Sequence, residues 1–66
     1  MANARSAGIL AFIANASHFR ETYYRDKAAG LREMAETEPL VRFRKQLIDL
    51  AEQYEVLADT VRQRAN

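Results

Sequence analysis

Leu47, Leu50, Tyr54, Leu57 and Val61 follow one another at intervals of three, four, three and four residues. That interval is the seam of a helix packed lengthwise along another helix. The stretch LIDLAEQYEVLADTV contains no proline or glycine, so nothing local stops the helix. It also lacks the period-two alternation of a half-buried strand. Ala51 and Ala58 lie one step round from the apolar line and leave room for a neighbour to come close. A helix this long is marginal alone in water, so the rest of the chain has to supply its partner.

The partner precedes it. Ile9, Phe12, Ile13, Ala16, Phe19 and Tyr23 recur at helical spacing, and the stripe drifts on through Tyr24, Ala28, Leu31, Met34 and Ala35. One helix over about residues 6–36 carries both halves. The alternative is a break near 15–17, with Ser17 capping a second helix. Thr37-Glu38-Pro39 is the clear interruption. Proline is excluded from a helix interior, suits the first helical position, and pushes the residue before it out of the helical region. The pattern predicts a turn at 37–39 and a second helix over about residues 39–64. So short a connection makes the helices antiparallel neighbours. Setting Leu31 against Leu47 places Ala28 against Leu50, Ala35 against Phe43, and Tyr24 against Tyr54. Arg20, Arg25 and Lys27 then come near Glu52, Glu55 and Asp59, and Glu33 and Glu36 near Arg42 and Arg44. The expected fold is all-α, a single helical-hairpin domain over residues 1–66.

Two helices share one seam, and this chain carries more apolar surface than one seam uses. Val41, Ile48 and Val56 lie off the main stripe of the second helix. A core in a chain of 66 residues seldom supplies more than about 3–5 kcal/mol. There is no cysteine for a disulfide, and a single histidine cannot hold a metal by itself. Association is the remaining means of support. The expectation is a homodimer that forms a four-helix bundle. Its interface would take Ile9, Phe12, Ile13, Phe19, Tyr23, Tyr24, Ala28 and Leu31 from the first helix. From the second it would take Leu47, Leu50, Ala51, Tyr54, Leu57, Ala58 and Val61. Docking as an accessory subunit on another protein would bury the same surface.

Residues 23–58 carry a further pattern. YYRDKAAGLREMAE, a break with proline, and RFRKQLIDLAEQYEVLA resemble small helical-hairpin proteins of soil and plant-associated bacteria. Those proteins read roughly aromatic-R-x-[RK]-A-x-x-[LM]-R-x-[LM]-A-E, a turn, then L-x-x-[LI]-A-x-x-Y-x-x-[LM]-A. Tyr24, Arg25, Lys27, Ala28, Leu31, Arg32, Met34, Ala35 and Glu36 match the first half, and Leu47, Leu50, Ala51, Tyr54, Leu57 and Ala58 the second. The resemblance implies the hairpin and brings no activity, substrate or cofactor.

Catalytic chemistry finds no support in the residues. His18 follows Ser17, but adjacent helical side chains diverge by about 100°, so they form no nucleophile–base pair. Asp49, Glu52, Glu55 and Asp59 read as a solvated face, and no Glu-x-x-His motif of the di-iron bundles occurs. Neither an enzyme nor a cofactor or metal site is expected. A nucleic-acid-binding bundle is the alternative function, drawing on Arg25, Arg32, Arg42, Arg44 and Lys45. A net charge of +1 is far from the basic excess of a dedicated binder. The apolar run in residues 7–16 is shorter than the ~20 residues of a membrane span. It could also be read as a signal peptide, with Arg5 before it and Ala14-Asn15-Ala16 as a cleavage site, but its apolar middle is very short. The expectation is a cytoplasmic interaction or regulatory protein without a membrane span.

Overall fold

The computed structural model describes the backbone of residues 4–65, and the side chains of residues 15–64 together with Gly8. Helix α1 spans Ala4–Thr37 and helix α2 spans Val41–Ala65, and they pack side by side as an antiparallel hairpin. The fold is all-α, and no strand occurs among the described residues. Helix α1 runs unbroken through Asn15–Ser17. Asn and Ser cost a helix interior only a few tenths of a kcal/mol, too little to break it without a proline.

The turn is held by its own polar groups. Glu38 N donates to the Ala35 carbonyl (3.3 Å) and Thr37 Oγ1 to the Met34 carbonyl (3.2 Å), which tightens the last turn of α1. Leu40 is the cap of α2, because its carbonyl accepts the first helical bond from Arg44 N (2.9 Å). Leu40 N donates to Glu38 Oε1 at 3.3 Å. Helix α2 therefore begins at Val41, two residues after Pro39, rather than at the proline. Arg44 Nε and Nη2 both donate to the Glu38 carbonyl, at 3.2 and 3.1 Å. That fork uses the Arg44 guanidinium on the turn. Glu33 and Glu36 form no ion pair with Arg42 or Arg44; the pairs among the described residues involve Arg25 and Arg32 instead.

Four alanines make the contact between the helices. Ala28 and Ala35 on α1 are almost fully buried, and Ala51 and Ala58 on α2 are 0 % exposed. The inward line of α1 is Tyr24, Ala28, Leu31 and Ala35, and that of α2 is Leu47, Ala51, Tyr54, Ala58 and Val61. Both keep the alternation of three and four. The α2 line is rotated one step from the leucine line read in the sequence: Ala51 and Ala58 point inward where Leu50 and Leu57 were expected. Leu50 and Leu57 remain 42 % and 43 % exposed. Ala28 and Ala35 therefore do not interdigitate with a buried Leu50 and Phe43. The Tyr24–Tyr54 pairing does form, with ring centroids 6.0 Å apart. The physical reason is spacing: alanine at every second inward position lets the two backbones approach between the larger side chains, whereas Leu50 and Leu57 turned inward would wedge them apart.

Candidate interaction surface

Because both helices use the same inward repeat and run antiparallel, like positions fall on the same flank of the hairpin. The residues just after the inward large side chains form one flank: Arg25 and Arg32 on α1, Ile48 and Glu55 on α2. The residues just before the inward alanines form the other: Lys27 and Met34 on α1, Leu50 and Leu57 on α2, continued one heptad back at Phe43. These two flanks differ sharply in chemistry.

The first flank is a ladder of charges. Arg32 grips Glu55 with two hydrogen bonds of 2.9 Å, a bidentate pair across the helices. Arg25 donates to Asp59 (2.9 Å) on α2 and to Glu21 (3.0 Å) on its own helix. These bonds raise both guanidinium pKa values, that of Arg25 chiefly through Asp59 and then Glu21, that of Arg32 chiefly through Glu55. The Arg32 hydrogen bonds also hold the Glu55 carboxyl below its ordinary value. The direction fixes a pH effect. A depressed folded pKa stabilises above the unfolded value, near 4.5, and that contribution is lost as the pH falls through the lower folded value. Urea midpoints followed by circular dichroism from pH 7 to pH 3 should therefore drop on the acid side. Glu55→Gln should flatten part of that drop while moving the neutral-pH midpoint only slightly, since solvent screens an exposed pair.

The second flank is apolar and open. Phe43, Leu50 and Leu57 recur every seven residues along α2, each more than two-fifths exposed. Across from them on α1 lie Tyr23 and Met34, both more than half exposed, and Gly30 between them. Among the described residues its charges are Arg20, Lys27 and Arg64, and Asp49 and Glu52 border it where they line a depression with Leu57. The Lys27 ammonium sits 5.4 Å from the Tyr23 ring centroid, its stem laid along the flank. Tyr23 packs edge-on to Tyr24 (5.7 Å, 68°), which in turn meets Tyr54. A shallow depression among Leu50, Gln53, Tyr54 and Leu57 marks the middle of the flank.

The expected interface residues are therefore divided. Ala28, Ala51 and Ala58 are used within the chain, and Tyr24, Leu31, Leu47, Tyr54 and Val61 are half-buried beside them. Phe19, Tyr23, Leu50 and Leu57 face solvent, Phe19 at 75 %. Ile9, Phe12 and Ile13 lie outside the described side chains. Phe43, Met34 and Gly30 complete the open flank and are not among the expected interface residues. The seven-residue interval from Phe43 through Leu50 to Leu57 was the available signal for Phe43.

The basic candidates do not converge. Arg25 and Arg32 are occupied by carboxylates and Arg44 by the turn, while Arg42 and Lys45 are exposed at other angles round α2. No group of three or more potential metal ligands gathers among the described residues, and His18 is exposed. Among the described residues no helix is long and apolar enough to cross a membrane. Comparison with protein-family models, with curated proteins and with solved structures gives no match to this chain.

Proposed function

We propose that this chain is a non-catalytic interaction module that self-associates through its open apolar flank, bringing four helices together in a homodimer. One observation carries the proposal: the cross-helix ion pairs take one flank, and Phe43, Leu50 and Leu57 stay exposed on the other, in a hairpin whose own core is four alanines. A hairpin that worked alone would turn its leucines inward and keep both flanks polar. Here the larger side chains are kept for a contact outside the chain. An exposed apolar patch rimmed by polar residues is the usual mark of a protein-contact surface. The pairing of Arg25 and Arg32 with acids speaks against a nucleic-acid role.

The test is sedimentation equilibrium together with circular dichroism over a dilution series. A dimer mass whose helicity falls on dilution is the expected result, because folding and association would then be linked by mass action. A fully helical monomer at every concentration would refute the proposal.

A further inference from the structure

We infer that the open flank is covered by the same flank of a second copy, turned about a two-fold axis that runs along the helices. Helix α1 of each chain then lies on α2 of the other, with Lys27 beside the partner's Asp49. This rests on the self-association reading and adds its geometry. Two hairpins can meet flank to flank about an axis along the helices or about one across them, and both keep neighbouring helices antiparallel. The charges of the flank choose between the two.

Those charges are sorted by helix. Arg20 and Lys27 stand on the α1 side of the flank. Asp49 and Glu52 border its α2 side, in a depression shared with Gln53 and Leu57. Among the described residues the ion pairs engage Arg25 and Arg32, and neither Arg20 nor Lys27 is matched to a carboxylate. Asp26, next to Lys27 in sequence, is turned about 100° further round α1, towards its outer face. The cations near the α2 side lie at the two ends of that helix, Arg42 in its first turn and Arg64 in its last.

The hairpin register gives each residue a level along the bundle. The Tyr24 and Tyr54 rings meet, Ser17 lines a depression with Val61, and Ala35 lines one with Arg44. Counting in opposite directions from those pairs, Lys27 is level with about residue 51, Arg20 with about residue 58 and Met34 with about residue 44. Lys27 and Arg20 therefore stand at the levels of Leu50 and Leu57, the two leucines that a partner has to cover.

An axis across the helices would lay α1 on α1 and α2 on α2. To cover Leu50 and Leu57 on both copies it has to pass at or between their levels. It then sets cation against cation wherever it falls: Lys27 on Lys27 with the axis at Leu50, Arg20 on Arg20 at Leu57, and Lys27 on Arg20 midway. Like charges confronted in a contact that also buries leucines oppose association.

An axis along the helices lays α1 on α2 and leaves every level unchanged. The partner's Leu57 falls between Arg20 and Tyr23, its Leu50 beside the Lys27 stem, and its Phe43 on Met34. The apolar flank is covered while the long stems carry their charges to its edge. The partner's Asp49 arrives level with about residue 29, about 3 Å along the axis from Lys27. The flank is self-complementary in this sense alone, and each contact is made twice per dimer. Both turns lie at the same end of the bundle.

Charge exchange is the first test. Lys27→Glu should weaken dimerisation about tenfold in sedimentation equilibrium, because the pair is lost twice per dimer. Adding Asp49→Lys to it should restore most of the affinity. With α1 on α1, Lys27→Glu would instead relieve repulsion and tighten the dimer. Thiol linkage is the second test. The chain has no cysteine, so each introduced thiol is the only one in its chain. Tyr23→Cys refolded together with Gln53→Cys should give the mixed disulfide, which needs Cα atoms within about 7 Å, while Gln53→Cys alone stays unlinked. With a dimeric wild type, any one of four results overturns this arrangement and leaves self-association standing. These are a Lys27→Glu dimer as tight as wild type or tighter, no recovery in the double variant, no mixed disulfide, or self-linked Gln53→Cys. A wild type that stays monomeric overturns both, and its co-sedimentation with phosphatidylglycerol vesicles would give the flank to a lipid surface.

Discussion

The double variant Leu50→Asp, Leu57→Asp should sediment as a monomer and lose most of its helical signal at concentrations where the wild type is folded. Full burial of a leucine is worth about 1.5–3 kcal/mol, and Leu50 and Leu57 are each a little under half exposed in the hairpin. Covering the remainder on both copies amounts to roughly 3–5 kcal/mol. That corresponds to about a hundred- to several-thousand-fold in the dissociation constant. Aspartates also bring charge into the contact, which costs more unless it is paired. Val41→Asp is the matched control. Val41 is 68 % exposed in the first turn of α2, seven residues before Ile48 and so off the open flank. Its replacement should change stability by no more than about 0.5 kcal/mol. Equal damage from Val41→Asp would mean that the flank is not special.

The second large effect runs against the sequence pattern. Ala51→Leu would extend a leucine line and, on pattern alone, would strengthen a coiled coil. The structure predicts the reverse. Ala51 has no exposed surface, and the helix opposite is held at the distance its methyl group sets. Three added carbons force the helices apart or the side chain off its rotamer, typically at about 1–3 kcal/mol. A core in a chain of this length seldom supplies more than about 3–5 kcal/mol, so that removes a large share of the stability. Thermal melts at a fixed protein concentration should show a much lower midpoint and a broader transition. Ala58→Leu should behave alike. A raised midpoint for either would show that the seam has slack, and the close alanine packing would have to be abandoned.

Much of the architecture follows from the sequence itself. The three-four spacing in both halves, the lone proline and the absence of period-two alternation determine two helices and a tight turn. These are local properties: helix periodicity and the missing proline N–H act within a few residues. The antiparallel arrangement follows from the shortness of the connection. The meeting of Tyr24 with Tyr54, and of Arg25 with Asp59, was legible because a hairpin register links positions by simple counting.

The rotation of each helix about its own axis was not legible. Leu47–Leu50–Tyr54–Leu57–Val61 and Leu47–Ala51–Tyr54–Ala58–Val61 share the same periodicity and three of their five members. Local sequence prefers the first, because it is the more apolar. Only the packed pair shows that the second lets the backbones come closer, and that choice decides which side chains are left over. The same rotation sets Arg32 against Glu55, a pair that reading the helices separately did not bring together. The open flank is a consequence of this choice. The leucines that mark the chain as a coiled-coil former are held at its edge, and alanines hold the two helices together.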